Sequence, residues 1–224
     1  MSKDKIIIIG GKGSAVVIAE QVFDTQEKTG DVEFLGFAFD DEAFYPEING
    51  FPVLSKTKEV YAKYEKYDDV KFIFALYRPD LVKERIVLRD SYGIPLDRWA
   101  NFKHHSAYIA RSVKMGFGNV VLANSVVNPG VVMGNFNTIQ SNALIGHDNH
   151  IGNSNFFTGH CVIGSNNTIG DGCFFGLNCS LNNYITIGNY VFCAMASNVI
   201  KSVGDDAMVM GNPAHVVEKK IKPL

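Results

Sequence analysis

From Ile109 to Val199 an apolar residue recurs at every sixth position without a break: Ile109, Met115, Val121, Val127, and so on through Ile187 and Cys193. In eight of these units the next residue is glycine, as at Gly116, Gly146 and Gly164. A helix repeats every 3.6 residues and a strand every two, so neither sustains a six-residue period over this length. A parallel β-helix of hexapeptide repeats does, with short strands joined by tight corners. Three hexads make one triangular coil, so residues eighteen apart in the chain stack one above the other.

That rule converts spacing into position. His147 heads a column through Ser165, Asn183 and Lys201, and Asp148 heads the next through Asn166, Tyr184 and Ser202. Cys161, Cys173 and Cys179 each fall four places after a register residue, where small side chains pack inside. Cys161 and Cys179 stack at about the strand spacing of 4.8 Å. That spacing permits a disulfide, but buried thiols are the expectation in a reducing compartment. The chain has no CxxC, which argues against a cysteine metal site. Phe136, Phe156, Phe174 and Phe192 read as one aromatic column on the wall, suited to a subunit interface. The net charge of −2 gives no reason to expect nucleic acid as a partner. No apolar run is long enough to span a membrane and no signal peptide is visible, so the cytoplasm is the expected compartment.

The first hundred residues lack the repeat. Lys5–Ile9 reads as a buried strand, Ala15–Glu27 as a helix, Phe34–Phe39 as a strand, Lys56–Tyr67 as a helix, Val70–Leu76 as a strand and Pro79–Ser91 as a helix. This alternation predicts a small Rossmann-like α/β unit. Three segments follow: an α/β domain over 1–100, a β-helix over 101–203 and a capping segment over 204–224, where Gly204 and Pro213 break the register. Gly10, Gly11, Lys12, Gly13 and Ser14 join the first strand to the first helix, where close backbone approach and a helix N-terminus favour a phosphate. The full dinucleotide fingerprint is absent. Asp40 and Asp41 follow the second strand, where carboxylates can take a ribose or base donor.

Several stretches together resemble the bacterial nucleotide-sugar N-acetyltransferases that acylate a 4-amino sugar, and their relatives the sialic acid O-acetyltransferases. They are Ile8-Ile9-Gly10-Gly11-Lys12-Gly13, Gly50-Phe51-Pro52-Val53-Leu54, His104-His105-Ser106-Ala107, Leu144-Ile145-Gly146-His147-Asp148 and Gly211-Asn212-Pro213-Ala214. The resemblance implies a left-handed solenoid, a homotrimer with sites between adjacent subunits, and an N-terminal domain that binds a nucleotide-linked amino sugar such as a UDP-sugar. It implies acetyl-CoA as co-substrate, held along Ser165, Asn183 and Lys201 and near Gly211 and Pro213, with Lys219 and Lys220 as further candidates for its phosphates.

His147 is the expected general base and Asp148 the residue that orients it. Acylating an amine with a thioester requires a group that takes a proton near neutral pH, which imidazole does. The expected activity is acetyl transfer to the 4-amino group of a nucleotide-linked sugar for surface glycan synthesis, with no metal. The alternatives are O-acetylation of a sialic-acid-type sugar and a non-catalytic nucleotide-binding trimer. A zinc hydratase on the same solenoid would need three converging histidines, and His147, His150 and His160 occupy three different hexad positions. His160 stands at a corner, and Phe156 stands where some relatives of the resembling family have a second active-site histidine.

Overall fold

The structure, a computed structural model, describes residues 3–218. The chain forms two compact units, Met1–His105 and Ser106–Leu224.

The first unit runs β1 (Asp4–Ile9), α1 (Ser14–Thr29), β2 (Val32–Ala38), β3 (Glu47–Ile48), β4 (Phe51–Ser55), α2 (Val60–Tyr64), β5 (Val70–Phe74) and α3 (Val82–Asp90). Its sheet has the order β3-β4-β2-β1-β5, parallel except for the β3–β4 pair. Ile6 to Ile9 are at most 1% exposed, as an unbroken apolar run in a central parallel strand requires. The helix expected over 56–67 is only Val60–Tyr64, and the one expected from Pro79 starts at Val82, after Leu81 at φ −127°. The fifth strand ends at Phe74 rather than at Leu76. Sequence reading left β3 and β4 out. Pro52 in β4 lies opposite Glu47 of the two-residue strand β3. Phe51 of β4 packs edge-on against Phe23, Phe34 and Phe37. The chain leaves β1 toward β2 on one side and later returns to β5 on the other. The strand order thus reverses between β1 and β5, and the glycine-rich loop follows the carboxyl end of β1.

The second unit is a triangular parallel β-helix of two-residue strands. One face stacks Tyr108–Ile109, Val126–Val127, Leu144–Ile145, Val162–Ile163, Ser180–Leu181 and Asn198–Val199. The second stacks Lys114–Met115 through Thr186–Ile187, and the third Val120–Val121 through Phe192–Cys193. The register residues form the core, where Phe157 and Phe175 stack at 4.7 Å with rings 2° from parallel. Every sixth residue from Gly118 to Ala196 has φ between 56° and 76°, so each corner turns on one left-handed residue. Asparagine, aspartate and glycine take that conformation readily.

The residue after each of these corners also points inward. Asn119, Asn137 and Asn155 form a buried ladder there, each side chain accepting the main-chain N–H one coil below. Asn149 and Asn167 form a second ladder. Cys161, Cys173 and Cys179 occupy the same position, and all four cysteines are buried free thiols.

Two expectations about columns fail. Phe136 is not on the wall: it is a left-handed corner residue, and Thr138 stands above Phe156. The aromatic column is Phe156, Phe174 and Phe192, with ring spacings of 6.2 and 4.9 Å, and Phe156 is itself buried. The last coil is shorter. Val203 pairs with Ile187, and the Thr186 N–H donates to Ser202 Oγ, sixteen residues away rather than eighteen. The eighteen-residue register holds through the Leu181–Val199 pair and is lost by Ser202, so the column projected to Ser202 ends at Tyr184. Beyond that coil, Met208–Gly211 pairs parallel with Phe192–Cys193 and turns back as a hairpin with Ala214–Val217. Lys219 and Lys220 lie outside the described residues.

Candidate active site

His147 and Asp148 sit on the corner between strands Leu144–Ile145 and His150–Ile151. Asp148 is the left-handed residue there, at φ 56°. Its Oδ2 lies 2.7 Å from His147 Nδ1. An ionised carboxylate accepts only, so in the neutral imidazole the proton sits on Nδ1 and Nε2 is the acceptor. The two side chains are 56% and 58% exposed, so a substrate can reach Nε2.

The corner is fixed from three sides. The Asp148 N–H donates to the Pro129 carbonyl at 3.0 Å, and the His147 carbonyl accepts from the Asn166 N–H at 3.0 Å. From inside, Asn149 Nδ2 donates to the Gly146 and Gly164 carbonyls at 2.7 and 2.8 Å. One coil above Asp148 lies Gly130, at φ 76°, and a Cβ there would fall on Asp148 Oδ1. Neither Gly130 nor Asn149 was singled out from the sequence. The same column arithmetic finds Gly130, eighteen residues before Asp148.

Below His147 the column continues through Ser165, whose N–H donates to Asn183 Oδ1 at 2.7 Å. Farther along this side is a cavity of 420 Å³ lined by Ser180, Asn182, Asn198, Ile200 and Asn212, among others. Asn182, Ile200 and Asn212 are chain neighbours of the expected Asn183, Lys201, Gly211 and Pro213, which do not themselves line it. His150 is exposed on the second face, paired in register with Val132 and Thr168. His160 is an exposed left-handed corner residue at φ 60°. Neither is a hydrogen-bond partner of His147.

In the first unit, α1 begins after Gly13 with no side-chain cap and no acidic residue in its first turn. The Ala15 and Val16 N–H groups at that end donate instead to the Lys12 and Gly13 carbonyls at 3.2 and 3.1 Å. Ser14 is the first helical residue. Gly10, at φ 136°, donates its N–H to the Ala38 carbonyl. Gly11 has a packing role, since a Cβ there would run into the Phe39 ring and Ile48. Lys12 Nζ lies 2.8 Å from Asp41 Oδ2 and 4.4 Å from the Phe44 ring centroid. Lys12 and the Ala43 N–H hold the Asp41 carboxyl below its usual range. Both Asp40 oxygens accept from Thr57, from its N–H and its hydroxyl, at 2.8 Å. Asp40 thus ties the end of β2 to the chain leading into α2, and Asp41 is the counter-ion of Lys12.

No protein-family model matches the chain, and no curated protein sequence does. Solved structures do. The acetyltransferase domain of PglB from Neisseria gonorrhoeae in complex with acetyl coenzyme A aligns over 96% of this chain and 100% of its own, at 21% identity and a TM-score of 0.81. PerB from Caulobacter crescentus in complex with CoA and GDP-perosamine aligns over 96% and 98%, at 21% identity and TM-score 0.80. WeeI from Acinetobacter baumannii aligns over 96% and 100%, at 20% identity and TM-score 0.70. At these identities the likeness establishes a shared fold along nearly the whole chain.

Proposed function

We propose that the protein transfers an acetyl group from acetyl-CoA to the 4-amino group of a nucleotide-linked amino sugar. The observation that carries this reading is the exposed His147–Asp148 pair. It sits on a fold shared with proteins whose structures hold acetyl-CoA, or CoA with GDP-perosamine. In the reaction, the neutral amine attacks the thioester carbonyl and His147 Nε2 takes the proton that the nitrogen sheds. Asp148 stabilises the resulting imidazolium through Nδ1. Main-chain N–H groups at a corner hold the oxyanion. The tetrahedral intermediate then expels the thiolate, which takes the proton back from His147. The products are an amide and the free thiol of CoA.

In this reading the pantetheine arm runs from His147 past Ser165 and Asn183 toward the cavity at Asn182, Ile200 and Asn212. Lys201, Gly211 and Pro213 lie at the end of that path. The first unit acts as a Rossmann-like nucleotide-sugar domain, with its diphosphate at Gly10–Ser14. For Lys12 to serve that diphosphate it exchanges Asp41 for phosphate. Left-handed coiling and a homotrimer belong to the same reading, as does a role in supplying N-acetylated sugars for glycan assembly.

The test measures thiol release from acetyl-CoA with UDP-, dTDP- and GDP-linked 4-amino sugars. Activity is expected with at least one, and His147→Ala should lower kcat by about 10²- to 10⁴-fold. Unaltered turnover in that variant would remove His147 from the chemistry. Turnover with 4-hydroxy sugars alone would reassign the enzyme to O-acetylation.

A further inference from the structure

Asp24, in the middle of α1, faces His104 and His105 at the end of the first unit. His104 Nε2 and His105 Nε2 lie 3.1 and 2.7 Å from the same oxygen, Asp24 Oδ2. The two rings sit side by side, with centroids 4.2 Å apart and planes 37° apart. Two imidazoles from consecutive residues thus bring the same ring nitrogen to one carboxylate oxygen. A hydrogen bond that simply anchored the chain end to α1 would need only one of them. Among the described residues, this is the one place where three imidazole, thiol or carboxylate groups converge, with all donor atoms within 4.8 Å of one another.

We propose that Asp24, His104 and His105 bind one divalent cation of the zinc class. Two imidazole nitrogens and one carboxylate oxygen make a borderline-soft donor set that suits zinc, with the fourth position left for water. Zinc bonds of about 2.0–2.2 Å in a tetrahedron place neighbouring donors about 3.3 Å apart, a few tenths of an ångström beyond the 3.1 and 2.7 Å that separate the two imidazole nitrogens from Asp24 Oδ2. His104 has a side chain 6% exposed, which fixes its ring, while Asp24 is 47% exposed and opens the site to water. Burial and the neighbouring His105 push the His104 pKa below its ordinary value, which favours the neutral, metal-binding form. The Asp24 pKa is lowered by both histidines, so the carboxylate is ionised. The cation would cross-link α1 to a point 80 residues later in the chain. It lies outside the proposed acetyl-transfer chemistry, so neither claim depends on the other.

The full-length protein, stripped with chelator and dialysed against zinc, should hold one zinc per chain by elemental analysis. Its melting temperature should rise by several degrees with excess zinc and stay fixed with magnesium, which prefers oxygen ligands. His105→Ala removes a partly exposed ligand and should abolish both effects while keeping the native circular dichroism. Asp24→Asn is the second variant, and His147→Ala should bind zinc as the unmodified chain does. Zinc content below about one-tenth per chain in unmodified protein under saturating conditions, or full content in folded His105→Ala, would overturn the proposal.

Discussion

At the corner that carries His147, the side chain Gly130 lacks determines where Asp148 can go. An alanine there would add a methyl on top of the carboxylate and force a Cβ into φ 76°. Gly130→Ala should therefore lower kcat about tenfold or more with native circular dichroism retained, as Asp148→Ala should. An unchanged kcat would mean that the carboxylate has no positioning role. His104 gives a second prediction at this scale. Its pKa is lowered by burial first and by His105 second. The folded state therefore binds fewer protons there than the unfolded chain, so stability rises with pH through the window below 6.5 and is lost as pH falls. Metal-free protein should unfold at lower denaturant as pH drops from 7 toward 5, and His104→Gln should flatten that dependence. The thiols give a third. Burial raises Cys161 to about 11 and Cys173 to about 12, and the hydrogen bond with Cys179, followed by burial, raises Cys193 well above its ordinary value. A thiol reagent at pH 8 should find no reactive cysteine in the folded protein and four after unfolding.

The structural element that matters most is the inward ladder rather than any single strand, since each strand has only two residues. Asn137 shows what a rung does. Its Oδ1 accepts the Asn155 N–H, and its Nδ2 donates to Asn119 Oδ1 and the Gly152 carbonyl. Asn137→Ala leaves the buried Asn155 N–H and Nδ2 and the part-buried Gly152 carbonyl without this partner and should cost about 2–4 kcal/mol. A denaturant midpoint unchanged from that of the parent chain would show that the ladder is dispensable. The same inward position takes valine at Val131 and cysteine at Cys173, so the position is legible from the period, but its hydrogen bonding is not. The three consecutive phenylalanines of the third face were equally legible as a column. Phe136 was misplaced because it precedes Phe156 by twenty residues rather than eighteen. That offset puts it at a corner.

At the scale of the molecule, the proposed reaction places its sites between subunits, so sedimentation should give three times the chain mass. A fully active monomer would remove that arrangement. No helix among the described residues is long and apolar enough to cross a membrane. The chain forms two compact units that divide between His105 and Ser106, the first holding the mixed α/β elements and the second the parallel β-helix.

The six-residue period by itself determined the solenoid, the stacking of its faces, the inward cysteines and the corner that carries His147. It did so because a coil of fixed length leaves side chains no freedom of register. The run Ile6 to Ile9 and the glycines after it likewise marked the central strand β1 and the turn into α1. Only the tertiary structure decided the rest, because each of those facts depends on where a side chain finds its partner. Asp41 neutralises Lys12, and Asp40 is spent on Thr57. The last coil loses two residues and brings Ser202 to Thr186 rather than to Tyr184. Asp24 meets His104 and His105 across 80 residues of chain, a separation that no periodicity spans.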